Sequence, residues 1–135
     1  MKQKSILIVD DELLIRDLLY DFFSEKDWTV AVSDSGGKGL EILKNRKFDL
    51  ALVDLRMPEI DGISFIKKLK ALYPSLPVII ITAFPSFETA VEGIRLKVDD
   101  YITKPFNINK LFKTVCSVVE KLRQQPDSIP AGEYH

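Results

Sequence analysis

The sequence is poor in the residues that build disulfide and metal frameworks, with one cysteine and one histidine in 135 residues. Cys116 has no second cysteine for an internal disulfide, and no group of residues has the spacing of a zinc site. Cys116 falls in a helical pattern, where a thiol is ordinarily a small apolar side chain rather than a nucleophile. His135 is the last residue, a position typical of a tail or an added residue. These absences argue against a zinc protein, a disulfide scaffold and an enzyme built on cysteine or histidine.

Long hydrophobic runs and a dominant charge are also missing. No segment approaches the ~20 apolar residues of a membrane helix, and Ser5–Val9 is too short for a signal peptide and lacks a cleavage site. We therefore expect a cytoplasmic protein that does not contact a membrane. The 19 basic and 20 acidic residues give a net charge of −1 without a Lys/Arg-rich block, so we expect no direct binding to nucleic acid.

Short apolar runs alternate with amphipathic segments along the chain. Five runs read as strands, and they lie at 5–9, 28–33, 50–53, 78–81 and 101–103. Five segments read as helices, and they begin near 13 or cover 36–45, 63–72, 87–96 and 108–122. Apolar strands alternating with helices predict a parallel sheet that is covered by helices on both faces.

The first predicted helix has a double apolar stripe. Leu14, Leu18 and Phe22 recur at every fourth position, with Ile15, Leu19 and Phe23 beside them, so we expect this stripe to face the core. Asp11 is the expected N-cap of this helix.

The chain has the length of one domain of common size. We assign residues 1–124 to this domain. Residues 125–135 contain Pro126, Pro130 and Gly132, which predicts a flexible tail or the start of a linker in a longer chain.

Polar residues follow four of the predicted strands. The first strand is followed by Asp10, Asp11 and Glu12, the third by Asp54, the fourth by Thr82 and Ala83, and the fifth by Lys104. Ligands of an open parallel sheet bind beyond the carboxyl ends of its strands, where strand order reverses. Acids, a hydroxyl and an ammonium are therefore expected to converge at one edge of the sheet.

Those residue types suit phosphoryl transfer. Several ionised carboxylates in one site favour a cation, and a few oxygen ligands with room for water and phosphate fit Mg²⁺ better than Ca²⁺. A carboxylate can also act as a nucleophile and form an aspartyl phosphate. A metal, an ammonium and a hydroxyl are the groups that stabilise the charge of a transferring phosphoryl group.

Four stretches give this pattern a family resemblance. They are ILIVDDE at 6–12, LVDLRMPEIDG at 52–62, ITA at 81–83 and DDYITKPF at 99–106. In this order the chain resembles the response-regulator receiver domain of bacterial two-component systems, the CheY-like family, from Ser5 to about Leu122. The resemblance implies a flavodoxin-like, doubly wound, five-stranded parallel sheet of order 2-1-3-4-5, with five helices in three α/β/α layers.

The resemblance implies a role for each acid. Asp54 is the expected phosphoacceptor. Asp11, Asp54 and the backbone carbonyl of Arg56 are the expected ligands of Mg²⁺, and Asp10 is expected to act mainly through a water molecule on the metal.

It also implies roles for the residues that follow the later strands. Thr82 and Lys104 are expected to hold phosphoryl oxygens, and Ala83 is small enough to leave access to the acyl phosphate. The Lys104–Pro105 bond is expected to be cis. Tyr101 matches an aromatic position that turns inward when the threonine moves, although it could equally pack against the edge strand.

The implied function is that of a switch. A histidine kinase or a histidine phosphotransfer protein is the expected donor, and the surface of the fourth helix, fifth strand and last helix is expected to change arrangement. The domain would catalyse only its own phosphorylation and dephosphorylation, through Asp54 and Lys104, so it is not predicted to be an enzyme. An output domain beyond the C-terminus, such as a transcriptional regulator, and a phosphorylation-dependent dimer through the last helix are further expectations.

The chain departs from the family pattern in two places. Lys97 and Val98 stand where most receivers have a small pair such as Gly-Ala, so we expect the helix before them to lose its left-handed cap and the connection to change shape. Arg56 and Phe84 occupy the positions two residues after the phosphoacceptor and the threonine, and side chains there tune dephosphorylation in the family.

Three other functions stay open on the sequence alone. A Mg²⁺-dependent phosphohydrolase usually has its nucleophile after the first strand and a second Asp two residues on, whereas Glu12 stands two residues after Asp10. A flavin-binding domain needs a first loop that cradles phosphate, and three acids there would repel it. A degenerate receiver that only binds partners is disfavoured by the complete set of acids, threonine and lysine.

Overall fold

The structure is a computed structural model that describes residues 3–57 and 60–123. Strands and helices alternate along these residues. The strands are β1 Ser5–Val9, β2 Thr29–Ser33, β3 Leu50–Asp54, β4 Val78–Thr82 and β5 Asp100–Thr103. The helices are α1 Leu13–Glu25, α2 Gly36–Asn45, α3 Gly62–Leu72, α4 Phe87–Arg95 and α5 Ile108–Arg123. The five strands are parallel in the order β2-β1-β3-β4-β5, which confirms the expected doubly wound sheet. The tail predicted for 125–135 lies outside the described residues.

The two faces of the sheet support separate apolar clusters. Along β1, Leu7 and Val9 belong to one cluster, and Ile6 and Ile8 belong to the other, because side chains alternate along a strand. Leu43 of α2 and Phe65 of α3 join the first cluster, and Leu19 and Phe23 of α1 join the second with Leu111 and Val115 of α5. Helices therefore cover both faces in three layers, which explains why the central strands are apolar on both sides.

The register of the sheet brings the ends of its strands level. Val9 pairs with Val53, so Asp10 and Asp54 follow at the same edge of two neighbouring strands. Thr82 pairs with Thr103, so Lys104 leaves β5 directly beside the end of β4. The pairing of the main chains alone therefore brings the predicted polar residues to one edge of the sheet.

The apolar stripe predicted for α1 is only partly correct. Leu19 and Phe23 are buried as expected, whereas Leu14 is 81% exposed and Leu18 is 48% exposed. The buried face is rotated from the predicted one, because α1 packs on the sheet through the second half of the double stripe. Among the described residues, none of the helices combines the length and the apolarity of a membrane span.

The N-terminus of α1 also differs from the prediction. The N-cap is Glu12 rather than Asp11, and its side chain makes no capping hydrogen bond. The Glu12 amide instead donates to Asp10 Oδ1 at 2.9 Å. In the loop between β1 and α1, the side chain of one acidic residue thus accepts a hydrogen bond from the backbone amide of another, and the N-cap side chain does not cap the first turn of α1.

The connection after α4 keeps the left-handed cap that the sequence argued against. Lys97 has a φ of 59°, its amide donates to Ile94 O at 3.0 Å, and the Val98 amide donates to Gly93 O at 3.0 Å. This is the Schellman arrangement, formed with a lysine in place of the usual glycine. The expected loss of this cap is therefore wrong, because two backbone hydrogen bonds outweigh the unfavourable conformation of one lysine.

A close backbone approach requires glycine at the start of α3. A Cβ atom on Gly62 would lie 2.5 Å from Asp54 O and 2.5 Å from Leu55 Cα. The Gly62 amide donates to Leu55 O at 2.9 Å, and Asp61 caps α3 by accepting a hydrogen bond from the Ser64 amide at 2.8 Å. The start of α3 therefore rests directly on the end of β3, where Asp54 lies.

We predict that Gly62→Ala destabilises the protein by roughly 1–3 kcal/mol, because the methyl group meets backbone that cannot move freely. Gly37→Ala is the matched control. Gly37 lies inside α2, and a Cβ atom there would meet nothing within 4 Å beyond the helix's own backbone. This substitution should stabilise the protein by about 0.5 kcal/mol. Urea unfolding measures both changes. Equal stability of Gly62→Ala and the wild type would contradict the packing described here.

Candidate functional site

Four carboxylates meet at the carboxyl edge of the sheet. Asp10, Asp11 and Glu12 follow β1 and Asp54 ends β3, and one oxygen from each lies within 4.8 Å of the others. We call these four residues the acidic cluster. Asp10 and Asp54 are buried, whereas Asp11 and Glu12 are exposed. One side of the acidic cluster is therefore buried, and the other side is open to solvent.

One ammonium group joins three members of the acidic cluster. Lys104 Nζ lies 2.8 Å from Asp10 Oδ2, 2.6 Å from Glu12 Oε1 and 3.4 Å from Asp54 Oδ2. The Lys104 amide donates to Thr82 O at 2.8 Å, and the Lys104–Pro105 bond is cis as predicted. The loop after β5 is thus fixed to the end of β4, and its lysine reaches across the sheet edge to β1 and β3.

Three of the loops share one local geometry. Asp10 Oδ1 accepts a hydrogen bond from the Glu12 amide at 2.9 Å, and Asp54 Oδ1 accepts one from the Arg56 amide at 3.3 Å. Thr82 Oγ1 likewise accepts the Phe84 amide at 3.0 Å. Each polar side chain is held by the amide two residues later, a turn that such short side chains favour. The remaining oxygen of each carboxylate and the hydroxyl proton of the threonine are left for other contacts.

The surroundings of the site raise the pKa values of both Asp54 and Lys104. Burial, with the charge of Asp10 adding to it, raises the pKa of Asp54 to about 7, even though Lys104 and the Arg56 amide act to lower it. Burial alone would lower the pKa of Lys104, but the carboxylates of Asp10 and Glu12 beside its ammonium raise it above the ordinary value. The lysine therefore stays charged, while Asp54 is an acid on which negative charge is unfavourable without further neutralisation.

The acidic cluster has the properties of a site for a hard divalent cation. Asp10 Oδ2 is buried and accepts no well-directed hydrogen bond, although Lys104 Nζ lies 2.8 Å away. Four carboxylates also outnumber the one ammonium that contacts them among the described residues. A buried oxygen that lacks a directed donor and an excess of negative charge both fit an oxygen-ligated metal ion. Asp11, on the open side, is placed where a ligand could enter from solvent.

The other predicted residues lie at the end of β4, just after it, and on β5. The hydroxyl-bearing Thr82 is fully buried at the end of β4, and Ala83 after it is exposed. Tyr101 is half-buried, and its hydroxyl contacts Thr89 Oγ1 at 2.6 Å and accepts a hydrogen bond from the Ser86 amide at 3.3 Å. The Tyr101 hydroxyl is thus hydrogen-bonded to the N-terminal end of α4.

An arginine and a phenylalanine stack at the solvent side of the site. The guanidinium carbon of Arg56 lies 4.0 Å from the centre of the Phe84 ring, and 60% of Phe84 is exposed. Their amides are the ones that hold Asp54 and Thr82, so the stack joins the two loops that carry these residues. A contact of this kind contributes about 0.5–1 kcal/mol at an exposed position.

Sequence reasoning gave no role to two residues that the structure places at the site. Glu12 was recognised as an acid after β1, but its contact with Lys104 joins residues 92 positions apart and has no local signature. Arg16 donates from Nη1 to Asp10 O at 2.8 Å. It satisfies a carbonyl beyond the end of β1, and an arginine one turn into a helix gives no sign of such a contact.

The site and the fold match known proteins. The family model of the response regulator receiver domain matches residues 6–116. Over 110 residues the chain is 42% identical to the transcriptional regulatory protein ZraR of Escherichia coli O157:H7, covering 82% of this chain and 25% of that protein. Over 106 residues it is 38% identical to the regulatory protein AtoC of Escherichia coli K12, covering 78% of this chain and 23% of that protein.

Solved structures agree with these sequence matches. A CheY-like receiver domain protein of Methanospirillum hungatei JF-1 superposes with a TM-score of 0.90 at 29% identity, covering 93% of this chain and all of that one. NtrX of Brucella abortus superposes with a TM-score of 0.84 at 28% identity, covering 92% of this chain and 29% of that one. The chain spans about a quarter of the length of the curated relatives named here.

We predict that Asp54→Asn stabilises the metal-free protein at pH 8 by on the order of 1–3 kcal/mol, because a buried charge is replaced by a neutral group of the same shape. The raised pKa of Asp54 gives the pH dependence. Protonated Asp54 stabilises the fold fully below about pH 4, and this contribution is lost as the pH rises through about 7. The advantage of the variant should therefore grow over this range, and saturating Mg²⁺ should reduce it.

Urea unfolding between pH 4 and pH 8, with and without Mg²⁺, measures this effect. Asp17→Asn is the control, since Asp17 is an exposed acid of α1 outside the acidic cluster. An Asp54→Asn protein that is less stable than the wild type at pH 8 would contradict the electrostatic description of the site.

Proposed function

The chain belongs to the response regulator receiver domain family, and on that premise we propose that Asp54 accepts the phosphoryl group, with Mg²⁺ bound by Asp10, Asp11 and Asp54 of the acidic cluster and by the Arg56 carbonyl. Phosphorylation on an aspartate is the general function of this family, and the domain is regulatory. The observation that carries the assignment is the position of Asp54. It is the buried carboxylate at the end of β3, and it contacts the ammonium of Lys104.

The proposed reaction has a simple balance. An Asp54 carboxylate oxygen attacks phosphorus, the bond from phosphorus to the donor breaks, and the donor leaves with that electron pair. Asp11, Asp54 and the Arg56 carbonyl would hold Mg²⁺, with Asp10 as a further acid of the metal site. The bound ion would supply positive charge that offsets the negative charge of the carboxylates and of the phosphoryl oxygens. The metal identity rests on the oxygen ligands and on the family's general use of this ion.

Lys104 and Thr82 are proposed to hold the phosphoryl oxygens. Lys104 keeps its charge because its pKa is raised, and its ammonium already contacts Asp54. Thr82 Oγ1 accepts the Phe84 amide, so its own proton remains to be donated to an oxygen of the phosphoryl group. Ala83 leaves the approach open, because its side chain is a methyl group at an exposed position.

The proposed consequence is a change in the surface formed by α4, β5 and α5. A phosphoryl oxygen that draws Thr82 toward Asp54 would leave space where the threonine side chain had been. Tyr101 is the aromatic side chain proposed to turn into that space. Its hydrogen bonds to Ser86 and Thr89 would then have to break. Such a two-state element is the kind of device that a charge-adding modification biases. We propose that the domain catalyses this modification of itself through Asp54 and Lys104, without turnover of another substrate.

The partners are proposed from the family and from the relatives. A histidine kinase or a histidine phosphotransfer protein is the proposed donor. The relatives named ZraR and AtoC are regulatory proteins about four times longer than their match to this chain, so a transcriptional output domain is the proposed continuation. A dimer formed through α5 after phosphorylation is proposed as well.

Incubation with acetyl phosphate and Mg²⁺, followed by intact-mass measurement, tests the assignment. We expect one base-labile phosphoryl group on the wild type, and none on Asp54→Asn or on protein without metal. A label on Asp54→Asn would place the phosphoacceptor elsewhere. Failure of the wild type to gain the group from acetyl phosphate and from every histidine kinase tried, with Mg²⁺ binding confirmed, would favour a receiver that only binds partners.

The stack of Arg56 on Phe84 predicts the lifetime of the phosphorylated state. We expect Phe84→Ala to shorten the half-life of phosphorylated Asp54 by about 2- to 5-fold, because the stack holds two loops over the site and its loss admits water. Phe87→Ala is the control, since Phe87 is 85% exposed on α4 and has no such contact among those the structure describes. A half-life unchanged by Phe84→Ala, or changed equally by both variants, would contradict this role.

A further inference from the structure

The ammonium of Lys104 lies nearer to Glu12 than to the proposed phosphoacceptor. Lys104 Nζ is 2.6 Å from Glu12 Oε1 and 3.4 Å from Asp54 Oδ2. Asp10 Oδ2 lies 2.8 Å away on the buried side. The lysine side chain is only 7% exposed, so few other positions are open to its head group. In this state, the shortest contact of Lys104 is with a residue that is neither the proposed phosphoacceptor nor one of the proposed metal ligands.

Glu12 differs from the other two partners of Lys104 in its freedom to move. The Asp10 and Asp54 side chains are at most 4% exposed, and each accepts a hydrogen bond from an amide two residues later. The Glu12 side chain is 53% exposed, and it gives no capping hydrogen bond to α1 although it occupies the N-cap position. Its one ion pair among the described residues is with Lys104. The Glu12 side chain can therefore move away toward solvent and release the lysine, whereas the buried Asp10 side chain cannot.

We propose that Glu12 competes with the phosphoryl group for Lys104 and so sets how readily Asp54 is phosphorylated. The inference rests on the proposed function of Asp54. In the unphosphorylated protein the Glu12–Lys104 pair holds the ammonium on the β1 side of the site. A phosphoryl group on an aspartate brings further negative charge and several strong acceptor oxygens. It outcompetes the single carboxylate of Glu12, and the lysine turns to it.

The energy of this competition is modest and measurable. The Glu12–Lys104 pair is half-exposed at the carboxylate, and such pairs change equilibria and rates by about 2- to 5-fold. Glu12 also places a negative charge beside an anionic donor, which slows the reaction whether or not Glu12 touches Lys104. Contact and charge must therefore be separated by experiment.

Two substitutions make that separation. Glu12→Gln removes the charge and keeps the length of the side chain. Glu12→Asp keeps the charge and shortens the side chain by one methylene group, which draws the carboxylate back from Lys104 Nζ. Asp17→Asn is the control, because it removes one negative charge from an exposed position on the same helix.

The first readout is the rate at which each protein gains one phosphoryl group from acetyl phosphate at saturating Mg²⁺, measured by intact mass. We expect Glu12→Gln and Glu12→Asp each to react about 2- to 5-fold faster than the wild type, and Asp17→Asn to match the wild type. The second readout is the NMR resonance of the Lys104 side chain in metal-free, unphosphorylated protein. It should shift in both Glu12 variants and stay unchanged in the control.

The outcomes distinguish this inference from the proposed function. A faster Glu12→Gln with an unchanged Glu12→Asp would show an effect of charge alone and overturn the competition for Lys104. Slower reaction of both variants would mean that Glu12 assists the site, which also overturns it. A wild type that gains no phosphoryl group would instead count against the proposed function. In that case, a Lys104 resonance that is identical in the wild type and both Glu12 variants would still overturn the inference.

Discussion

The contact of one buried ammonium with three carboxylates is the interaction on which the site depends. Asp10 and Asp54 are ends of neighbouring strands, so the parallel sheet itself forces two acids together in a place with little water. Lys104 is the one ammonium among the described residues that contacts both acids, and the pKa of Asp54 is raised even with this lysine present. This residual repulsion fits the proposed metal site, since a bound cation would offset it.

The loops around the site give up local stability to hold this arrangement. Glu12 sits at an N-cap position without capping, because its amide is turned to Asp10 and its carboxylate reaches Lys104. Gly62 lets α3 begin on the backbone of β3, which fixes the turn after Asp54. The helix cap at Lys97, by contrast, lies outside the site. There a lysine adopts a left-handed conformation, and the cap forms two backbone hydrogen bonds.

Sequence reasoning located the site because strand ends are a property of topology. Once alternating strands and helices predicted a parallel sheet, Asp10, Asp54 and Lys104 had to share an edge, and the register confirms it. It failed where the answer depended on three-dimensional detail. The stripe of Leu14 and Leu18 has the same period as the buried one, so only packing decides which faces the sheet. The contacts of Glu12 and Arg16 join residues whose spacing carries no pattern.

A crystal structure of the protein with Mg²⁺ and beryllium fluoride, which mimics a phosphoryl group on a carboxylate, tests the roles of Asp54 and Lys104 together. We expect the mimic on Asp54, with Lys104 turned from Glu12 to one fluorine atom and Thr82 donating a hydrogen bond to another. The metal should touch Asp11, Asp54 and the Arg56 carbonyl. A structure at saturating ligand in which Asp54 stays unmodified, or in which Lys104 keeps its contact with Glu12, would contradict these roles.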